Sequence, residues 1–328
     1  MVRVAYCRDA GSVSSVAQQI AEGVFQIDTR LGGWDNITAG YLVVGASPCL
    51  IEVGSQSSRE VVLEELASLG LGPEDLASVA VTHIHLDHAG AVGDIAQAYP
   101  SAKIYVHERG ARHLVDPSRL ISSAARAYGD LLDSLYGRMA ATAAERIVVV
   151  GEGDAIAVSP QHVIEVFDAP GHAKHHLGYF DPNSGLAFTG DAAGVLLPEV
   201  RMLRPATPPA DFDLESALTS LAKFKERNPV ALAFAHYGVY GSPVELLDEA
   251  REALIAWAEV AERAYRAGRD IAQELIDEFV VDIQGASAEA MARFETLNGV
   301  HSNATGLKIW LERGGSTSSS QQDLHHRH

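Results

Sequence analysis

Cysteine is scarce in this chain: 328 residues contain two, Cys7 and Cys49, and neither lies in a CxxC pair. Two such thiols exclude the disulfide framework of a small secreted domain and offer no zinc ribbon or dithiol redox motif, so their expected role is packing. Long hydrophobic runs are missing too. No stretch of roughly 18 apolar residues is available to span a bilayer. Residues 1–15 lack the apolar segment of roughly 7–15 residues that marks a secretory leader. Neither a membrane nor export is expected, and the cytoplasm is the expected address. Cations are outnumbered, with 25 Lys and Arg against 43 Asp and Glu and a formal net charge of −18. Affinity for nucleic acid rests on neutralising phosphates, so this balance works against a nucleic-acid partner and leaves a small molecule as the expected one.

What the chain does have is apolar content, 47% of its residues, enough to bury a large core in one sizeable domain. Short runs of strand formers occur at 24–28, 39–44, 49–53, 79–81 and 103–107, with helical spacing at 58–69 and a helix expected after Gly90. A second set of strands is expected at 147–150, 163–167, 178–180, 186–189 and 231–235, the last preceded by a helix at 214–227. Two similar halves predict an α/β fold in which two sheets pack together with helices outside. This is a four-layer αββα sandwich filling residues 1–242. Residues 118–145 interrupt the pattern as an insert that is helical in composition. Residues 243–313 read as consecutive helices, a C-terminal extension that either caps a site at one edge of the sandwich or forms a homodimer contact. Residues 314–328, rich in Gly, Ser and Gln, are expected to be a disordered tail whose His325, His326 and His328 bind metal only adventitiously.

Chemistry concentrates in Thr-His-Ile-His-Leu-Asp-His-Ala-Gly, residues 82–90. Alternate residues of an extended segment point the same way, so His83 and His85 can grip one ion together. If a helix starts just after them, Asp87 and His88 occupy its first turn and face a second ion. Imidazole and carboxylate suit zinc, and also iron, manganese or cobalt. Further ligand types stand at strand ends, where loops gather functional groups: His172 in Ala-Pro-Gly-His, Asp191 in Thr-Gly-Asp, and His236 directly after 231–235.

The order HxHxDH, then His, Asp and His, resembles the metallo-β-lactamase superfamily over about residues 20–240. The resemblance implies His83, His85 and His172 at a first metal, Asp87, His88 and His236 at a second, and Asp191 bridging. It implies two divalent ions, zinc first and iron or manganese as alternatives. Two such cations roughly 3.5–4 Å apart turn a bridging water into the nucleophile. Asp87 then orients that water or passes its proton to the leaving group. Glu52 stands where many relatives carry Asp in a DTG motif. It either supports a ligand histidine from behind or lies exposed at a strand end. His176 matches the second histidine of the family's GHTxGH pattern, here GHAKHH, and is read as a supporting residue, with His175 solvated.

The implied activity is that of an enzyme of the glyoxalase II and lactonase-like branch, a binuclear metallo-hydrolase acting on a small ester, lactone or thioester. Lactonases place a Tyr three residues after the bridging Asp, where this chain has Gly194. Tyr237, immediately after His236, is the substitute catalytic candidate, with Tyr128 and Tyr136 of the insert behind it. Holding a glutathione substrate would fall to Lys308 and Arg313, which lack the family's spacing, and His301–Asn303 are candidates to approach the pocket. Two alternatives share the motif: a mononuclear iron oxidoreductase of the persulfide dioxygenase type, and a phosphodiesterase or nuclease of the same fold. Flavodiiron reductases replace the second His of the motif with Glu, and His85 is intact.

Overall fold

The computed structural model describes residues 17–200, 202–280 and 286–317. Cys7, the stretch considered as a leader and the three tail histidines lie outside the described residues. The chain divides into two compact units. The first takes the residues up to Asp168, His175–Gly190 and Arg227–Pro243; the second takes Ala169–Lys174, Asp191–Glu226 and the residues from Val244 onward.

The first unit contains two sheets. Seven strands run in chain order across one of them: β1 (Gln18–Ala21), β2 (Val24–Asp28), β3 (Ala39–Val43), β4 (Cys49–Ile51), β5 (Ser78–Ala80), β6 (Lys103–His107) and β7 (Ile147–Val150). Pairing is antiparallel from β1 to β4 and parallel from β4 to β7. The other sheet holds β8 (Ala155–Ser159), β9 (His162–Asp168), β10 (Leu177–Asp181), β11 (Leu186–Gly190), β14 (Ala231–Phe234) and β15 (Gly238–Tyr240), in the order β15-β14-β11-β10-β9-β8. Here β11 and β14 are the parallel pair. Helices α1 (Arg59–Ser68), α2 (Leu86–Ala89), α3 (Val92–Ala98), α4 (Glu108–Val115) and α5 (Ser118–Tyr128) complete this unit.

Central strands β3, β4, β5, β11 and β14 are buried at every position, which is why each reads as an unbroken apolar or small-residue run. Edge strand β8 instead alternates exposed and buried residues, the period-two signature of a half-solvated strand. The sheets meet across a core tied by two buried phenols. Tyr41 on β3 donates to the Phe234 carbonyl at 2.6 Å, and Tyr179 on β10 donates to the Val81 carbonyl at 2.8 Å. Burial raises both phenols well above the ordinary tyrosine range, so they remain donors at any physiological pH.

Two expectations need correction. The insert is not one helix: it holds α5, a single π-turn at Leu132–Tyr136 and the start of a 3-10 turn at Ala144–Arg146, and Gly129 and Gly137 take positive φ values (55° and 70°) that end the first two segments. The strand at 231–235 is also not the last, since β15 follows it and pairs antiparallel with β14.

The second unit is mostly helical, with α6 (Leu214–Glu226), α7 (Pro243–Arg266), α8 (Ile271–Phe279), α9 (Ala288–Asn298) and α10 (Val300–Glu312). It also holds the small hairpin of β12 (Val195–Leu196) and β13 (Leu203–Arg204). No helix among the described residues is long and apolar enough to cross a membrane.

Candidate metal centre

Parallel strands β4 and β5 end side by side, and the chain leaving each carries site residues. Glu52 follows β4, and Thr82 to His88 follow β5. His85 has extended backbone (φ −63°, ψ 154°) and immediately precedes α2, so Asp87 and His88 fall in the first helical turn. His83 is fully buried, with Nδ1 3.0 Å from the Thr82 hydroxyl and Nε2 2.9 Å from Nδ1 of His85.

The hydrogen bonds behind the ligands fix where protons sit. Glu52 is buried rather than exposed. Its Oε1 accepts the Thr82 amide at 2.7 Å, and its Oε2 lies 2.9 Å from His88 Nδ1. A carboxylate only accepts, so His88 Nδ1 carries a proton, and in the neutral ring the lone pair is then on Nε2. His236 repeats the arrangement, with Nδ1 3.2 Å from the Ile37 carbonyl. The two Nε2 atoms face each other at 3.2 Å, with Asp87 Oδ2 3.7 Å from one and 3.5 Å from the other. Ligand atoms of Asp87, His88 and His236 all lie within 4.8 Å of one another. Three acceptors converging in a buried spot repel one another unless a cation sits among them, and nitrogen and oxygen donors of this kind suit a divalent transition metal. The donor set therefore fits a metal on its own chemistry.

Glycine shapes this unit where side chains crowd. Gly190, at the end of β11, has φ 50°, and a Cβ there would stand 2.5 Å from Thr82 Oγ1 and 2.6 Å from His176 Nε2. His176 is fully buried, its ring stacked on that of His83 at 4.9 Å. His175, half-buried, lies parallel to His83 at 6.1 Å. Tyr237 is buried after His236, and its carbonyl accepts the Tyr240 hydroxyl at 3.0 Å. Tyr128 and Tyr136 pack on each other at 4.6 Å.

In the second unit, His172 and Asp191 come together. His172 Nδ1 is 3.0 Å from the Ala206 carbonyl, to which it donates, and Nε2 is 3.4 Å from Asp191 Oδ2. Gly171 precedes His172 with φ 134°, and any side chain there would collide with Ala217 of α6. The Pro170 and Gly171 carbonyls are held by the Ser220 hydroxyl (2.5 Å) and the Asp213 amide (2.9 Å). Beside His172 and Asp191 runs a small, mostly apolar crevice, partly open to solvent. Leu203, Pro205, Phe212 and Leu254 wall it, and its lining contains no lysine or arginine. Lys308 pairs with Glu312 at 3.9 Å on the exposed side of α10, while His301 and Ser302 are exposed and Asn303 is buried. Sequence reasoning missed the Ile37 and Ala206 carbonyls and the Thr82 amide. Backbone groups carry no residue-type signal.

The family model of the metallo-β-lactamase superfamily matches residues 32–236, and the chain belongs to that superfamily. It is 30% identical over 169 residues to a metallo-β-lactamase fold-containing protein of Sulfurisphaera tokodaii, a match covering 51% of this chain and 62% of the relative, under two thirds of its length. It is 26% identical over 151 residues to a hydroxyacylglutathione hydrolase of a Synechococcus species, covering 46% of this chain and 47% of that one. Among solved structures, an archaeal superfamily member from Sulfolobus tokodaii matches with a TM-score of 0.67 at 21% identity, over 87% of this chain and 98% of the other. That likeness shows the fold, the metallo-β-lactamase sandwich with a C-terminal helical region. The His/Asp cluster of Asp87, His88 and His236 lies within the residues that the family model matches.

Proposed function

We propose that this chain is a binuclear metallo-hydrolase that cleaves a small ester, lactone or thioester in the cytoplasm. The observation that carries the proposal is the donor set of Asp87, His88 and His236 in the first unit, whose ligand atoms lie within 4.8 Å of one another. The second set, His83, His85, His172 and Asp191, is the one that the family pattern implies. Divalent cations held there, zinc first among them, supply Lewis acidity, polarising a carbonyl and lowering the pKa of water.

Around that chemistry the protein's own residues take distinct tasks. Glu52, through Nδ1 of His88, and the Ile37 carbonyl, through Nδ1 of His236, keep both Nε2 lone pairs available as ligands. Asp87 is placed to take a proton at Oδ2 from the attacking water and return it to the leaving alkoxide or thiolate. Tyr237 is the proposed donor to the substrate carbonyl oxygen. An apolar crevice lined without cations favours a neutral acyl group over a phosphodiester or a carboxylate-rich glutathione conjugate. A reducing compartment agrees with Cys49, which is buried as a free thiol. The test is a panel of esters, lactones, thioesters and phosphodiesters offered to zinc- or manganese-loaded protein. Turnover of at least one of the first three is expected. Cleavage of phosphodiesters alone, or oxygen consumption on a persulfide by protein holding one iron, would overturn it.

A further inference from the structure

The hydrogen bond behind His172 leads into the C-terminal helices. Ala206 supplies the accepting carbonyl, and the chain on either side of it is anchored by two asparagines. Asn303 of α10 is buried, and its Oδ1 accepts the Thr207 amide at 2.6 Å. An amide N–H only donates, so the orientation of that side chain is fixed, and its Nδ2 donates to Asn298 Oδ1 at 2.7 Å. Asn298, at the end of α9, donates through Nδ2 to the Pro205 carbonyl at 3.1 Å. The Thr207 hydroxyl closes the loop by donating to the Asn303 carbonyl at 3.1 Å. Arg204 completes the anchor. Buried to 1% exposure, it donates to the Asn298 carbonyl at 2.9 Å and pairs with Glu295 at 2.6 Å.

Segment 204–207 is thus pinned at Pro205 and Thr207, and the carbonyl between those pins meets His172 Nδ1. An acceptor there dictates which ring nitrogen is protonated. Partners of this kind behind a ligand are worth about 10–100-fold in metal affinity. We infer that Asn303 is a positioning residue for the ligand His172, holding it, through Thr207 and Ala206, in the tautomer protonated at Nδ1. The inference rests on reading His172 as a metal ligand. It makes the C-terminal helices part of the support of His172, acting through one ring nitrogen.

Two measurements test it. Nitrogen-detected NMR of the imidazole rings reports the His172 tautomer in metal-free protein, and competition with a chelator reports the affinity for each ion. The wild type is expected to show the proton on Nδ1. Asn303→Leu should shift population to the Nε2-protonated form and weaken one of the two ions about 10–100-fold, leaving the other unchanged. Leu275→Ala, a cavity in buried α8 of the same helical region, controls for lost stability and should leave tautomer and affinity as they were. A wild-type proton on Nε2, an unaltered tautomer in Asn303→Leu, or an equal affinity loss in Leu275→Ala overturns the role. Should Asn303→Leu fail to fold, Thr207→Val replaces it, with a smaller shift in the same direction expected and no shift counting against the role. Wild-type protein that binds no ion would defeat the hydrolase reading, while the tautomer measurement still decides the role of Asn303.

Discussion

His88 and His236 present their Nε2 atoms to each other at 3.2 Å, and each ring turns its Nδ1 toward an acceptor behind it. Each ring has committed its Nδ1 proton to an acceptor behind it, Glu52 Oε2 for His88 and the Ile37 carbonyl for His236. Two ring nitrogens at that separation, with Asp87 Oδ2 within 3.7 Å of both, form a donor set that fits a cation. Several measurable consequences depend on this arrangement.

Glu52→Gln keeps the shape of the side chain and exchanges one acceptor for a donor. If the retained oxygen stays on the Thr82 amide, an NH₂ group faces His88 Nδ1 and drives the ring proton to Nε2. Metal affinity should fall about 10–100-fold, and stability by about 1.5–3 kcal/mol for the lost bond to a charged group. Chelator competition and urea unfolding measure the two effects separately.

Asp191→Ala removes the proposed bridging carboxylate. Hydrolysis should drop by at least about 100-fold, more than a supporting partner costs. Steady-state assays under saturating metal check this, and a mutant of undiminished rate removes Asp191 from the site.

Gly190→Ala should destabilise the fold by about 1–3 kcal/mol, since its Cβ would press on both Thr82 and His176 at a backbone angle that disfavours side chains. The denaturation midpoint should fall with an unchanged urea slope. Adding His176→Ala removes one of the two clashes and should recover part of the loss.

Asp28 gives a pH signature independent of metal. Burial pushes its carboxyl up to about 6, against two backbone N–H bonds, from Arg30 and Asn36, that pull it down. The folded state therefore holds this proton more tightly than the unfolded chain. Its stabilising contribution is full below about pH 4 and is lost as pH rises through about 6. The stability of wild type relative to Asp28→Asn should accordingly decline between pH 4 and 7. A flat difference across that window would refute the shift.

Much of the centre was legible because it announces itself by residue type. Three histidines and an aspartate in six residues after an apolar strand, and His172, Asp191 and His236 each at a strand end, need no structure to be noticed. The central strands were legible for a similar reason, as full burial leaves unbroken apolar runs. The groups that orient the ligands stayed hidden, because a carbonyl such as that of Ile37 or Ala206 looks the same in every residue. Asn303 sits 96 positions from its partner Thr207, a separation that only folding closes. Edge strands β1, β8 and β15 were missed, being short and without an unbroken run of strand formers. The insert misled by composition, since its helix formers are cut by Gly129 and Gly137.

The central claim is that two donor sets hold two ions, and metal stoichiometry measures it most directly. Native mass spectrometry of protein reconstituted with zinc should show two ions per chain, falling to one when His88 and His236 are both replaced by alanine. Wild-type protein that takes up a single ion, or a double variant that still binds two, would contradict the account.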